Sequence, residues 1–325
     1  MSAEEPTAAD EVRTTIDVST DRPWAWLGLA VFWGWLVVRW VNDFLLPESI
    51  AVPGAQSFLP AAPFASAAES LAVTAASLGA VGVPLDFAAG LLSFVAGAIP
   101  SLPALARGAW LTIVLTVAGI ALGFPIAVLL SVARVYGGRG LRWLSLSYTE
   151  LIRGTPLLAQ LFVLYFGLPL TQIVREVPGV GSGFIPGTAA VVAILGFTIN
   201  SAAYQAEYIR SALESVDAGQ LTAARSIGLS KREGIRYVVL PQGLRYAIPG
   251  WSNELVYLIK YSSLAAFITV RELFFRAESI ANDTFQYTEL YVLAGLFYIA
   301  LVVSASVLMN AVEDWTAIPG LGGRR

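Results

Sequence analysis

Two residue types are missing altogether. The 325 residues contain no cysteine and no histidine, which removes disulfides, thiolate nucleophiles, the usual zinc ligand sets and imidazole acid–base chemistry together. Charge is scarce too: 13% of residues are charged against 56% hydrophobic, and the mean hydropathy of +0.68 exceeds what a soluble core requires. Lysine is confined to Lys231 and Lys260. Also absent is any G-x-x-x-x-G-K-[ST] run to cradle nucleotide phosphates. The chain is therefore expected to bind no cofactor itself, no metal and no nucleic acid. Long apolar runs are abundant, approaching or exceeding the roughly 20 residues that cross about 30 Å of hydrocarbon. An all-α polytopic membrane protein is the fold class these features imply.

The runs are punctuated unevenly. Residues 24–41 follow an acidic tail at 1–23 that lacks the basic start and small-residue cleavage site of a signal peptide, so they read as a retained transmembrane helix. Its tryptophans, Trp24, Trp26, Trp33, Trp35 and Trp40, are expected to anchor it at the membrane interfaces. Residues 42–106 are rich in Ala and Gly and carry Pro47, Pro53, Pro60, Pro63, Pro84, Pro100 and Pro103. Those prolines are expected to break every candidate span there, leaving an external loop, interfacial helices or a re-entrant pair against the membrane lipid. A core at 107–313 follows, with five spans near 109–133, 155–170, 187–209, 246–268 and 288–311, and a tail at 314–325 ends the chain. Placing residues 210–245 inside puts fourteen basic residues on that side and five (Arg39, Arg107, Arg175, Arg271 and Arg276) on the other. The excess predicts that both termini are cytoplasmic and that the protein is a multi-pass component of the cell membrane.

One stretch, TAARSIGLSKREGIRYVVLP at 222–241, is too polar for lipid. It belongs to a loop at 211–241 whose first part has helical composition. The small pair Ala223 and Ala224 lets another surface approach closely, and Gly228 is free to take a left-handed helix cap. Ser230 and Glu233 have the spacing of a capping box that starts a second helix, which Pro241 is expected to close. Two short helices meeting at a glycine bend would present Arg225, Lys231, Arg232 and Arg236 to the cytoplasm. A solvated loop obeying the positive-inside rule is the plain alternative, but it requires neither caps nor this length.

The order Ala223, Ala224, Gly228, Val238-Val239-Leu240-Pro241 resembles the "EAA" loop of ABC importer permeases. The stretches ELIRGTPLLAQLFVLYFGLP (150–169) and VVLPQGLRYAIPGWSNELVYLIKYSSLAAFITVREL (238–273) resemble the polar amino acid branch of that family, the histidine, glutamine and arginine permeases. The likeness covers about 105–308, and implies a five-span permease core with an extra N-terminal helix. It also implies that Thr222, Ala223, Ala224, Arg225, Gly228, Leu229, Leu240 and Pro241 seat in a separate ATPase subunit, which uses the ATP. A second permease subunit, identical or paralogous, and an extracytoplasmic solute-binding protein complete the implied assembly. Thr222 stands where the family pattern has Glu, removing one implied polar contact.

Ionisable and amide side chains at membrane depth are costly and face partners or water. Asn253 and Lys260, seven apart, share a face of one predicted helix, while Asn200, Tyr204 and Glu207 follow helical spacing on another and Gln160 lies inside a third. These six are candidates for the path of a polar amino acid. The competing reading is packing, with Lys260 paired to Glu254 or Glu207, and Glu207 reaching toward Arg210. Two other functions compete. A secondary transporter of small polar solutes would need broken helices and internal repeats, which are not evident; a membrane enzyme would need a catalytic constellation, and none stands out.

Overall fold

The computed structural model describes residues 23–182 and 185–316. The terminal tails, with Arg13, Arg22, Arg324 and Arg325 of the orientation count, lie outside these or reach into them only briefly. Regular structure among the described residues is entirely helical. The helices are α1 (Pro23–Phe44), α2 (Ala62–Leu78), α3 (Val83–Ala98), α4 (Leu102–Tyr136), α5 (Arg139–Arg153), α6 (Leu157–Phe162), α7 (Leu170–Arg175), α8 (Thr188–Ser215), α9 (Ala218–Ser226), α10 (Lys231–Gly234), α11 (Leu240–Tyr261), α12 (Leu273–Thr284) and α13 (Tyr287–Thr316).

The centre of the molecule is the α4–α8 pair. Small residues make their close approach possible: a Cβ at Gly119 would lie 2.8 Å from the Phe197 Cβ, and one at Gly123 would lie 3.1 Å from the Thr198 carbonyl oxygen. In lipid, where burial against a neighbouring helix gains little over contact with acyl chains, such small-residue seams let dispersion hold helices together. Three apolar clusters follow one another along the bundle. Leu36, Leu105, Leu273, Phe297 and Leu301 join α1, α4, α12 and α13; Leu115, Leu161, Phe197, Leu258 and Ile268 fill the middle; Ile209, Leu213, Val239 and Ala247 close the end that carries α9 and α10.

Four helical stretches among the described residues are long and apolar enough to cross a membrane: Trp24–Phe44, Ala62–Tyr136, Thr188–Ser215 and Tyr287–Thr316. The spans expected near 155–170 and 246–268 take other forms. The first is the short α6 widened by a π turn at Val163–Gly167, and the second is α11, polar along one side and continued by a 3₁₀ run at Ser262–Ile268.

Proline behaves differently from the expectation for 42–106. Pro63, Pro84 and Pro103 sit in the first turns of α2, α3 and α4, where a missing donor leaves no helical bond unmade. They start helices instead of breaking them. Pro241 likewise does not end a helix. The chain stays helical from Lys231 to Tyr261, because a π turn at Ile235–Val239, in which the Leu240 N–H reaches back to the Ile235 carbonyl, absorbs the irregularity before Pro241 enters the first turn of α11.

The tryptophans of α1 divide. Trp24 and Trp26 are exposed. Trp33 donates to Ser304 Oγ at 2.8 Å, Trp40 donates to the Ala106 carbonyl at 2.7 Å, and Trp35 packs edge-on to Phe297. Those three fasten α1 to α4 and α13 through their indole N–H groups and rings.

Candidate functional site

Two groups of side chains compete for function, a bent loop at one end of the bundle and polar residues along α6, α8 and α11.

In the loop, Asp217 accepts from the Gly219 N–H and starts α9. That helix ends in left-handed backbone at Gly228, φ +95°, with the Leu229 N–H reaching the Ala224 carbonyl at 3.2 Å, a termination that satisfies otherwise orphaned carbonyls. Ser230 and Glu233 then form both halves of a capping box, the Ser230 N–H donating to Glu233 at 2.8 Å and the Glu233 N–H to Ser230 Oγ at 3.3 Å. The Ser230 hydroxyl and backbone N–H hold the Glu233 carboxyl below the usual range. The pair Ala223 and Ala224 splits: Ala224 is buried, beside Gly234, whereas Thr222, Ala223 and Arg225 face outward. Ile227 at the bend is 80% exposed. Leu229 and Leu240 are half-buried and Pro241 is exposed. Lys231 does not project freely, because its Nζ donates to the Tyr136 carbonyl at the end of α4, 3.0 Å away.

Among the intramembrane candidates, Gln160 and Asn200 meet. Asn200 Nδ2 donates to Gln160 Oε1 at 3.2 Å, while Gln160 Nε2 donates to the Ile152 carbonyl at 2.7 Å and to Thr155 Oγ1 at 2.9 Å. Gln160 thus closes the Arg153-Gly154-Thr155-Pro156 turn between α5 and α6. Tyr204 and Glu207 belong to the same corner. The Arg153 guanidinium lies 5.3 Å over the Tyr204 ring and 3.9 Å from Glu207, which Arg210 binds at 2.9 Å. Glu207 is therefore paired at the loop end of α8.

Asn253 and Lys260 do share a face of α11, and both are exposed on it. Tyr257 stands between them with Lys260 Nζ 4.7 Å from its ring centre, and Tyr261 stacks on Tyr257. No ion pair joins Lys260 to Glu254 or Glu207 among the described residues. Glu254 lies about a quarter turn round the helix from that face and is 2% exposed. With Ser201 and Gln205 of α8 it forms a buried polar band, whereas the sequence offers Glu254 only as a partner for Lys260; Gln205 Nε2 donates to Ser201 Oγ at 2.9 Å and to the Ile120 carbonyl at 3.1 Å. Successive helical residues diverge by about 100°, so Asn253 is exposed where Glu254 is buried.

The comparisons with known proteins fit this geometry. The description "binding-protein-dependent transport system inner membrane component" matches residues 119–317. This chain belongs to that family. Its permease relatives include a probable amino-acid ABC transporter permease of Bacillus subtilis, 40% identical over 66% of this chain and 90% of the relative. The glutamine transport system permease of Escherichia coli K12 is 36% identical over 66% of this chain and 93% of its own length. A crystal structure of an amino acid ABC transporter with histidines superposes with a TM-score of 0.56 at 30% identity, covering 66% of this chain and 94% of that one. The resemblance to ABC importer permeases, read from the loop and its flanking stretches, is borne out, and so is the all-α membrane architecture.

Proposed function

We propose that this permease is the membrane-spanning subunit of an ATP-driven importer of polar amino acids in the cell membrane, coupled through its bent loop to a separate ATPase. The observation that carries the reading is the loop's construction. Two capped helices are held at a bend that only Gly228 accommodates easily, and Thr222, Ala223, Arg225 and Ile227 point away from the permease body. The end bearing the loop is then cytoplasmic.

The loop is also mechanically linked to the bundle. The Lys231 bond to Tyr136 connects it to α4, and α10 runs through the π turn into α11 without a break. Closure of the ATPase on ATP would push both helices, with the widened turn as the compliant step. On α11, Asn253, Tyr257 and Lys260 form an exposed polar face. This face would border the solute path beside a second permease subunit, identical or paralogous. An ammonium at Lys260 suits a solute carboxylate, and a tyrosine ring suits its amino group. The amino-acid relatives support this substrate class, and an extracytoplasmic solute-binding protein would deliver it. Gln160, Asn200, Tyr204 and Glu207 serve that path less directly, by holding the turn at the mouth of α6.

Reconstituting the complex into vesicles tests the proposal. Uptake of a polar amino acid should require ATP on the loop side; uptake driven by an ion gradient without ATP would favour a secondary transporter.

A further inference from the structure

The N-terminal third, which precedes the family match, builds a cavity at the end of the bundle remote from the loop. Its volume is about 500 Å³, within the roughly 300–1,000 Å³ of small-molecule sites. The wall comes from the segment after α1 (Gly54, Ala55), the turn into α4 (Pro100, Ser101) and α12 (Arg276, Thr284). Arg107 also lines it, and no carboxylate does.

The charges beneath are unbalanced. The Asp43 carboxylate, on a side chain 1% exposed, is shared by two arginines: Arg39 Nη2 lies 2.8 Å from Oδ1 and Arg107 Nε lies 2.8 Å from Oδ2. Arg39 completes its hydrogen bonds on the carbonyls of Gln56 and Gly54, both at 2.7 Å, so it is sealed under the segment. Arg107 keeps its two terminal nitrogens without a hydrogen bond to the described residues, at a place where a Cβ on Gly54 would overlap them. Arg276 donates through Nε to the Arg271 carbonyl and pairs with no carboxylate among the described residues. Its burial, and then repulsion from Arg107 and Arg271, hold its pKa below that of an ordinary guanidinium. Three guanidinium groups share one carboxylate, whose attraction also reaches Arg276; Arg39 is sealed, while the Arg107 side chain is 36% exposed, so the cavity carries an excess of positive charge.

We infer that this cavity binds an anion of the phosphate class, through the guanidinium forks of Arg107 and Arg276. Guanidinium matches phosphate oxygens in pairs, and such charge-assisted bonds are about twice as strong as neutral ones. The source is either the headgroup of an anionic phospholipid or free phosphate. Bound there, the anion would join the segment after α1 to α12 and tie the added third of the chain to the permease core.

The test uses the full-length chain, purified with its co-assembled subunits in a zwitterionic detergent and stripped of lipid. Thermal unfolding is followed with added phosphatidylglycerol, phosphatidylcholine or inorganic phosphate, for wild type, Arg276→Gln and Arg276→Lys. A rise in the wild-type midpoint with phosphatidylglycerol but neither other addition supports a lipid headgroup; an equal rise with inorganic phosphate supports the free anion. In either case, Arg276→Gln should bind about tenfold or more weakly while Arg276→Lys retains part of the effect. Equal response to all three additions, or an unchanged response in folded Arg276→Gln, overturns the inference.

Discussion

Gly228 is the residue on which the loop's shape turns. At φ +95° an L side chain is strained, by about 1–2 kcal/mol, although nothing lies within 4 Å of where its Cβ would be. Gly228→Val should therefore insert and fold yet lose coupling: in vesicles the complex would hydrolyse ATP with little amino acid uptake. Normal uptake would remove the bend from the mechanism. Lys260 gives a second test. With no carboxylate partner among the described residues, Lys260→Met should leave folded yield unchanged and raise the half-saturating amino acid concentration; a fall in yield with unchanged transport would return Lys260 to a packing role. The capping box supplies a pH dependence. Because the folded Glu233 carboxyl is held below its usual range, its contribution to α10 is complete above the ordinary carboxylate pKa, near 4.3. It is lost as pH falls through the lowered value. Protease cleavage at 229–235 should rise only in that acidic window, and Glu233→Gln should flatten the profile.

At the scale of helices, the α4–α8 seam depends on residues too small to see as a pattern of hydrophobicity. Gly123→Leu would drive a side chain into the Thr198 carbonyl and Gln205 Nε2, both 3.1 Å from its Cβ. Overpacking of this kind costs about 1–3 kcal/mol, and a lowered unfolding midpoint without loss of the α9–α10 loop structure is expected. Much at this scale was legible beforehand. The loop's start and stop signals are local chemistry, so Gly228 and the Ser230–Glu233 box could be read directly, as could the shared face of Asn253 and Lys260. Proline composition alone does not distinguish the helix starts at Pro63, Pro84, Pro103 and Pro241 from breaks, because the same residue starts a helix or interrupts one according to its position in the turn. The π turn at Ile235–Val239 has no composition of its own. The buried band of Glu254, Gln205 and Ser201 needed the packing of α11 on α8, which no spacing within either helix reveals.

Over the whole molecule, the family match begins at residue 119, yet α1 and α3 before it pack onto the core helices, with α2 lying on α3. Asp43 is the pivot of that attachment, since it neutralises Arg39, which is 1% exposed. Asp43→Asn would leave a buried guanidinium uncompensated, a loss of about 3–5 kcal/mol. Sharply reduced membrane yield is expected, partly restored by Asp43→Glu; wild-type yield of Asp43→Asn would mean the N-terminal third is not stabilised through this pair. On the proposed reading, three tasks are separated along the bundle: docking at α9–α10, a polar face on α11, and an added structure around Arg39 and Arg107 at the far end.

The central claim is that the α9–α10 bend seats in an ATPase. Because the chain has no cysteine, Ile227→Cys creates its sole thiol at the exposed tip, where a photoreactive maleimide can be attached in native membranes. Irradiation should yield a covalent adduct with a protein carrying a phosphate-binding loop, altered in amount by ATP, while the same label at Leu59, in the added N-terminal third, should not. An intact, transport-active complex in which the Ile227 label captures no ATPase would contradict the account.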